Sequence, residues 1–313
     1  MPTTHTIDLT LENLHGYYSP ERAPILTIDP GDSIVTRTLD AGWGNEPYIG
    51  GAYHEREKFP GYDKEKDGDG HSMIGPIAVR GAKPGMTLVI RINQIVPGAW
   101  GGTFAGGWKS SVNARYGIED RGVVHAWALD RESMTGRSNL GHTVALRPFL
   151  GVMGMPPPEP GRHGTPPPRI WGGNLDCKEL IAGTTLYLPI PVEGAIFSFG
   201  DGHAVQGDGE VSVTAIECPM DRVDLTLDLR DDFPISTPHA RTESAWITLG
   251  FGDTLDDATY AALEPMFALI SKFHNVERLD AIALASLVVD LRITQIVNGV
   301  VGVHAVLPHG AIR

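Results

Sequence analysis

Apolar and polar residues alternate along most of the first 255 residues, as in strands that bury one face. The pattern is clearest at 24–35, 75–95, 183–198 and 210–217, where Gly and Pro bound each stretch. Helical spacing of apolar residues appears only near the end of the chain. The pattern therefore predicts a mainly β fold with α elements (α+β), arranged as an antiparallel β-sandwich or barrel-like sheets with two late helices.

The two late helices are predicted at 256–274 and 278–289. In the first of them, Leu263 and Ile270 fall on one face, so we expect the helices to pack against the sheets. Pro265 disfavours a regular helix interior. We therefore expect the first helix to start or kink at that residue.

Glycine and proline are abundant, with 38 Gly and 24 Pro among 313 residues. No G-X-Y period accompanies them, so frequent turns explain the excess better than a collagen-like or low-complexity chain does. Seven of the prolines lie in 153–168, which therefore cannot form a helix or a central strand. We expect a stiff loop there and consider it a candidate cover for a site.

The charge balance limits the classes of partner. Asp and Glu outnumber Lys and Arg by 38 to 25, a net charge of −13 that repels phosphate backbones, so we expect no nucleic-acid partner. No run of 18 apolar residues and no signal-like start occur, so we expect no membrane association. The two cysteines, Cys177 and Cys218, cannot form a disulfide framework, and we expect a cytoplasmic protein.

The densest group of polar residues lies between two apolar stretches, in the sequence DGHAVQGDGE. Its chelating or titratable residues are Asp201, His203, Gln206, Asp208 and Glu210. An imidazole with nearby carboxylates is a typical ligand set for zinc and related divalent ions. A solvated Asp-Gly turn is the alternative explanation of the same pattern.

Two further groups contain candidate site residues. Asn174 and Asp176 are two positions apart, so in an extended segment both side chains point to the same face; an Asx turn or helix cap is the alternative. His71 follows the sequence DGDG and is either a second histidine near a metal or substrate or a hydrogen-bonded loop histidine. An EF-hand is excluded because Ile74 occupies the position that requires Glu.

Signatures of nucleophilic catalysis or nucleotide binding are missing from the sequence. Ser198 lacks the preceding glycine of a G-x-S-x-G turn, and there is neither a GxxxxGK[ST] loop nor a GxGxxG motif between a strand and a helix. Catalysis with a bound metal is therefore the better hypothesis.

Several separated segments resemble the acetamidase/formamidase family. They are HSMIGPIAVRGAKPGMTLVIRI (71–92), PFLGVMGMPP (148–157), GGNLDCKEL (172–180), PVEGAIFSFGDGHAVQGDGEVSVTAIE (191–217) and LASLVVDLRITQIVNGVVGVHAVLP (284–308). The resemblance implies hydrolysis of small amides such as acetamide or formamide to a carboxylate and ammonia. It also implies a mainly β fold with helical elements and a homo-oligomer, dimer or higher.

The resemblance further implies one catalytic unit over 1–313, or an N-terminal β-rich part (1–150) followed by a part that carries the site (151–313). The residues placed at the site by the GGNxD and DxHxxQGDGE motifs are Asn174, Asp176, Asp201, His203, Gln206, Asp208 and Glu210. His71 is the candidate substrate-binding residue. It begins a segment that more often reads HPxTGP in the family, and here Ser72 and Ile74 replace the usual residues.

We hypothesise that Asp176, Asp201 and His203 bind a divalent metal ion, zinc in the first place and calcium as the alternative. Such an ion would polarise the amide carbonyl and lower the pKa of a bound water from 15.7 towards about 7.

In the same hypothesis Glu210 or Asp208 acts as the general base on the water, and Asn174 or Gln206 donates a hydrogen bond to the developing oxyanion.

Two other functions stay open. One is a non-enzymatic β-rich module that binds a metal or a sugar. The other is an amidase for a larger amide.

Overall fold

Nineteen strands and four α-helices form the computed structural model, which describes residues 2–313. The strands are β1 (Thr4–Ile7), β2 (Leu14–His15), β3 (Leu26–Ile28), β4 (Ser33–Thr38), β5 (Met73–Val79), β6 (Thr87–Pro97), β7 (Trp100–Ala105), β8 (Val123–Asp130), β9 (Thr135–Ser138), β10 (Thr143–Ala145), β11 (Phe149–Gly154), β12 (Gly172–Asn174), β13 (Thr185–Pro189), β14 (Phe197–His203), β15 (Met220–Arg230), β16 (His239–Arg241), β17 (Ala245–Gly252), β18 (Asp290–Gln295) and β19 (Val301–Pro308). The helices are α1 (Lys64–Asp67), α2 (Ser111–Tyr116), α3 (Leu255–His274) and α4 (Arg278–Val288). None of the helices in the described chain combines the length and the apolar composition that crossing a membrane requires.

The largest sheet has nine strands in the order β1-β4-β15-β6-β13-β16-β17-β19-β18. All neighbours pair antiparallel except β1 and β4, which are parallel. Strand β15 lies between β4 and β6, so strands from 1–150 and from 151–313 interleave. Both parts of the chain therefore contribute to one hydrogen-bonded sheet.

Two smaller sheets accompany it. One contains β12-β11-β14-β5-β2, with β3 parallel to β5, and the other contains β10-β9-β8-β7. One hydrophobic core joins the nine-stranded and six-stranded sheets, with Ile90 and Leu225 from the first and Leu150 and Phe197 from the second. The predicted mainly β fold with helical elements is confirmed, and within residues 2–313 the sheets do not close into a barrel.

Three of the four stretches with the clearest alternation contain strands. Residues 24–35 include β3 and half of β4, 75–95 include most of β5 and β6, and 183–198 include β13 and the start of β14. The strand predicted at 210–217 is wrong, because that segment forms turns in which Glu210 and Val213 have φ of 48° and 74°. Left-handed residues interrupt the extended backbone that a strand requires.

Helix α3 begins ten residues before Pro265 and includes it, so the predicted start at this residue is wrong. Its buried face includes Ala258 and Ala262, whose small side chains allow the helix to lie close to β17. Gly250 in β17 makes the same contact possible from the sheet side. A Cβ at this position would lie 2.2 Å from the main-chain nitrogen of Ala262.

We expect Gly250→Ala to lower the free energy of unfolding by about 3 kcal/mol, because the added methyl group forces α3 away from the sheet. Gly164→Ala is the matched control, since its Cβ would meet only Pro166 Cδ at 3.7 Å. Urea titration of both variants measures the difference. Equal stability of the two variants would contradict the close helix–sheet contact.

Candidate metal and active site

Three neighbouring antiparallel strands position four of the predicted site residues. Asn174 ends β12 and Asp176 follows it, whereas Asp201 and His203 lie at the end of β14. Strand β11 pairs with both β12 and β14, so its residue Gly151 lies between the two groups. Two motifs that are separate in the sequence therefore meet across a single strand.

Gly151 leaves the space in which these side chains gather. A Cβ at this position would lie 2.3 Å from Asp201 Oδ2, 2.7 Å from Asp176 Oδ1 and 2.9 Å from His203 Cε1. Any residue other than glycine would collide with both carboxylates. The backbone of β11 thus forms the floor of the cluster.

Loops from other parts of the chain complete the cluster. Glu210 lies in a turn after β14, and hydrogen bonds of 3.0 and 3.1 Å hold the preceding Gly209 against the end of β18. Glu217 is fixed by two main-chain hydrogen bonds to β7. Asn298, between β18 and β19, donates from Nδ2 to Asp176 Oδ2 at 2.6 Å.

Five side chains of this cluster form two overlapping groups of possible metal ligands that share His203. Asp176, His203 and Glu210 bring their ligand atoms within 4.8 Å of one another, and so do Asp201, His203 and Glu217. All five residues are buried. The buried oxygens without a hydrogen-bond partner at this site are Asn174 Oδ1, Asp176 Oδ1, Asp201 Oδ1, Glu210 Oε2 and Glu217 Oε2. Convergent buried acceptors of this kind fit a bound cation, because an unpaired buried charge is costly.

The hydrogen bonds of Gln206 determine which nitrogen of His203 faces the carboxylates. Gln206 Nε2 donates to the carbonyl oxygen of Asp176 at 2.8 Å, so its Oε1 accepts from His203 Nδ1 at 2.9 Å. His203 Nε2 then lies 3.3 Å from both Asp201 Oδ1 and Glu217 Oε2. An imidazole oriented through its other nitrogen is the usual arrangement of a metal-ligating histidine.

The carboxylates have shifted pKa values because they are buried and close together. Burial, reinforced by neighbouring carboxylates, raises the pKa of Asp176 to about 7 and the pKa of Glu217 to about 7. Burial and Asp176 raise the pKa of Glu210 well above its ordinary value. No lysine or arginine forms an ion pair with these carboxylates or with Asp201 in the described part of the chain.

The remaining two residues of the cluster favour their charged forms. Burial alone would lower the pKa of His203, but Glu217 and Asp201 outweigh it and raise this pKa well above the ordinary value. Burial opposes ionisation of Asp201, yet His203 and His71 hold its pKa below the usual range. Without a cation, one imidazolium is the main positive charge among four carboxyl groups.

Three of the carboxylates sit on backbone in the left-handed region. The φ angles are 46° for Asp176, 59° for Asp201 and 48° for Glu210. Residues other than glycine adopt this conformation at a cost, and such residues cluster at functional sites. The strained backbone directs all three carboxylates into the same small volume.

The cluster lies at the bottom of a cavity of about 550 Å³. Asn174, Asp201, His203, Glu210, Glu217, Asn298 and His71 are among the residues that line it. The predicted cover contributes Pro166 from the proline-rich loop. The cavity gives a small molecule access to the carboxylates.

His71 faces this cavity as a hydrogen-bond donor. The hydroxyl of Thr165 accepts from the main-chain nitrogen of His71 at 2.9 Å and lies 2.8 Å from its Nδ1. Thr165 is fully buried, so its proton goes to Nδ1, the acceptor within reach. Burial lowers the pKa of His71, which leaves a neutral ring with the proton on Nε2.

Two residues predicted at the site do not line the cavity. Asp208 is outside the cavity, where it forms an ion pair of 2.9 Å with Lys178. Gln206 lies behind His203, and both ends of its amide are engaged by protein atoms. The structure therefore keeps Glu210 and Asn174 facing the cavity and gives Gln206 a positioning role.

Sequence reasoning missed Glu217, Asn298 and Gly151. Glu217 ends the apolar stretch that predicted a strand, so a single acidic residue there gave no distinct signal. Asn298 lies in an Asn-Gly turn, where asparagine is ordinary. Gly151 resembles many other glycines until the neighbouring carboxylates are in place.

A sequence model of the Acetamidase/Formamidase family matches residues 159–306, which contain both motif clusters of the site. This part of the chain is therefore similar in sequence to the acetamidase/formamidase family. The resemblance stated from the sequence is therefore confirmed.

Solved structures of acetamidases have the same fold. An acetamidase from Bacillus halodurans is 26% identical with a TM-score of 0.83, covering 96% of this chain and 97% of that one. An acetamidase from Yersinia enterocolitica is 25% identical with a TM-score of 0.85, covering 100% and 94%. The acetamidase fold thus accounts for nearly the whole chain.

A formamidase from Methylophilus methylotrophus is 25% identical over 249 residues. That alignment covers 64% of this chain and 60% of the formamidase. The chain thus spans about 60% of the length of the first curated relatives it matches.

We expect Gln206→Leu to weaken divalent-metal affinity about 10- to 100-fold, because His203 loses the partner that orients it. The matched control is Gln94→Leu, at an exposed position of β6. Zinc titration by calorimetry measures both affinities. Unchanged affinity in Gln206→Leu would contradict the assigned orientation of His203.

The pKa values also predict how stability depends on pH. Asp and Glu carboxyls titrate near pH 4 in an unfolded chain, whereas those of Asp176 and Glu217 titrate at about 7 in the fold. The folded metal-free protein therefore binds more protons between pH of about 4 and 7, and its stability falls as the pH rises through that window.

A divalent cation competes with those protons. We expect the gain in Tm from adding metal to EDTA-treated protein to grow as the pH rises from about 5 to 7. The double variant Asp176→Asn/Glu217→Gln should flatten both trends in a thermal unfolding series. A metal-induced gain that is independent of pH would contradict the assignment.

Proposed function

We propose that this protein hydrolyses the C–N bond of small linear amides and releases a carboxylate and ammonia. The observation that carries the proposal is the convergence of Asp176, Asp201, His203, Glu210 and Glu217, of which all but Asp176 line a cavity open to a small molecule. Similarity to an acetamidase and a formamidase supports the same reaction.

A divalent metal ion fits this cluster, since five buried oxygens lack partners and Gly151 leaves room beside them. Asp176, Asp201 and His203 would hold it, together with Glu217. A cation bound there supplies positive charge that acidifies a water molecule and polarises the amide carbonyl. We propose zinc first because imidazole suits it, with calcium as the alternative for a site rich in carboxylates.

Glu210 is the proposed general base. Its Oε2 is buried without a partner, and burial together with Asp176 raises its pKa well above the ordinary value, a direction that makes the carboxylate a stronger base. Glu210 takes a proton from the water that attacks the carbonyl carbon. It then delivers a proton to the amide nitrogen as the C–N bond breaks.

Asn174 and His71 are the proposed donors to the carbonyl oxygen. Both line the cavity, and the ring of His71 is held with its Nε2 proton free. Hydrogen bonds to an oxygen that becomes negatively charged strengthen in the transition state. Asn298 orients Asp176 from behind and makes no contact with the substrate in this proposal.

We also propose a cytoplasmic homo-oligomer, a dimer or higher. Cys177 and Cys218 are buried free thiols, which suit a reducing compartment. Leu279 and Leu287 of α4 are each 79% exposed, and exposed leucines on one helix suit a subunit contact. Light scattering measures the oligomeric state directly.

Ammonia release from formamide, acetamide and propionamide tests the function. We expect turnover by metal-loaded protein, a loss of at least about 100-fold after chelation, and recovery when metal is restored. His203→Ala and Glu210→Gln should each lower kcat by about 100-fold or more, the second without loss of bound metal.

Asp208→Asn is the matched control for Glu210→Gln and should keep kcat within about twofold, because Asp208 pairs with Lys178 outside the cavity. A larger loss in Asp208→Asn than in Glu210→Gln would reverse the assignment of the base. No ammonia from any amide would favour a non-enzymatic module that binds a metal or a sugar.

A further inference from the structure

The cavity is larger than formamide or acetamide requires. Its volume of about 550 Å³ falls in the range of pockets for drug-sized ligands, about 300–1,000 Å³. The two small amides contain only a handful of non-hydrogen atoms. Most of the cavity is therefore available to a group attached to the acyl carbon.

Six of the residues that line the cavity are aromatic. They are Trp43, Tyr48, Tyr53, Tyr62, Phe104 and Trp108, which together we call the aromatic wall. Within it, the ring centroids of Trp43 and Tyr62 are 4.4 Å apart, and those of Tyr48 and Phe104 are 5.0 Å apart. The wall thus consists of packed rings and not of isolated side chains.

The polar atoms of three of these aromatic side chains form hydrogen bonds within the protein. Trp43 Nε1 and the hydroxyl of Tyr62 donate to carbonyl oxygens in 68–70 at 2.8 and 2.9 Å, and the hydroxyl of Tyr48 donates to Asp40 Oδ2 at 2.7 Å. A ligand therefore meets mainly the apolar surfaces of rings whose positions are already fixed. Preorganised rings bind with a small loss of conformational entropy.

The charges near the wall are largely matched. Arg56 lies over the ring of Tyr48, 3.5 Å from its centroid, and forms an ion pair with the buried Asp40. Lys58 and Asp69 also line the cavity, but both are exposed to solvent. A neutral, flat apolar group suits this environment better than a charged group.

We propose that the aromatic wall is an acyl-group subsite and that the preferred substrates are primary amides whose acyl group carries a neutral aromatic ring. This inference rests on the proposed amide hydrolysis and specifies its substrate class. The amide group lies at the carboxylate cluster, and the ring packs against the wall. Offset or edge-to-face contacts between rings make a planar ring a better ligand than an equally apolar aliphatic ring.

Tyr53 offers the clearest variant of the wall. It is 66% exposed at the rim, and its ring centroid is 6.2 Å from that of Phe104, so its removal leaves the core intact. Tyr260 on α3 is 72% exposed and does not line the cavity, which makes Tyr260→Ala the matched control.

The experiment compares kcat/KM for acetamide, cyclohexylacetamide and phenylacetamide in the metal-loaded protein. We expect phenylacetamide to exceed acetamide by about tenfold or more and to exceed cyclohexylacetamide by about threefold. Tyr53→Ala should lower kcat/KM for phenylacetamide by about three- to tenfold and leave acetamide within twofold. Tyr260→Ala should change neither.

An equal kcat/KM for acetamide and phenylacetamide would overturn the aromatic subsite and leave the proposed amide hydrolysis intact. Cyclohexylacetamide equal to phenylacetamide would overturn the preference for a planar ring. If no amide is turned over, the proposed function fails, and calorimetry with phenylacetamide decides the subsite separately. The subsite is supported if phenylacetamide binds and if Tyr53→Ala weakens that binding while Tyr260→Ala leaves it unchanged. Absence of binding overturns the subsite.

Discussion

The burial of four carboxyl groups around one imidazole is the constraint on which this structure depends. Asp176, Asp201, Glu210 and Glu217 surround His203 with no lysine or arginine paired to them in the described chain. Like charges in a buried volume either take up protons or bind a cation. The shifted pKa values follow from this arrangement, and the proposed metal binding and the proposed chemistry rest on it.

The cluster requires backbone conformations that ordinary strands do not adopt. Gly151 provides the floor, and Asp176, Asp201 and Glu210 adopt left-handed backbone around it. A hydrogen bond donated by Asn298 then fixes the orientation of Asp176, and one accepted by Gln206 fixes that of His203. The two sheets hold these segments rigidly enough for carboxylates to converge from distant parts of the chain.

Alternation of apolar residues predicted the β-rich architecture, because half-buried strands require it, and helical spacing of apolar residues located the two late helices. The density of metal-ligating residue types likewise indicated Asp176, Asp201 and His203. The alternation could not reveal the turns at 210–217, where positive φ angles overrule an apparently strand-like sequence. Glu217 and Asn298 could not be identified from the sequence for a different reason. Each has an ordinary local sequence context and reaches the site only through the tertiary structure.

The most direct test of the central claim is an anomalous difference map from crystals soaked in zinc, collected on either side of the zinc absorption edge. The account predicts a strong peak among the carboxylates of Asp176, Asp201 and Glu217 and Nε2 of His203, and no comparable peak at Asp208. A zinc-soaked crystal without density at the cluster, or with its main peak elsewhere in the molecule, would contradict it.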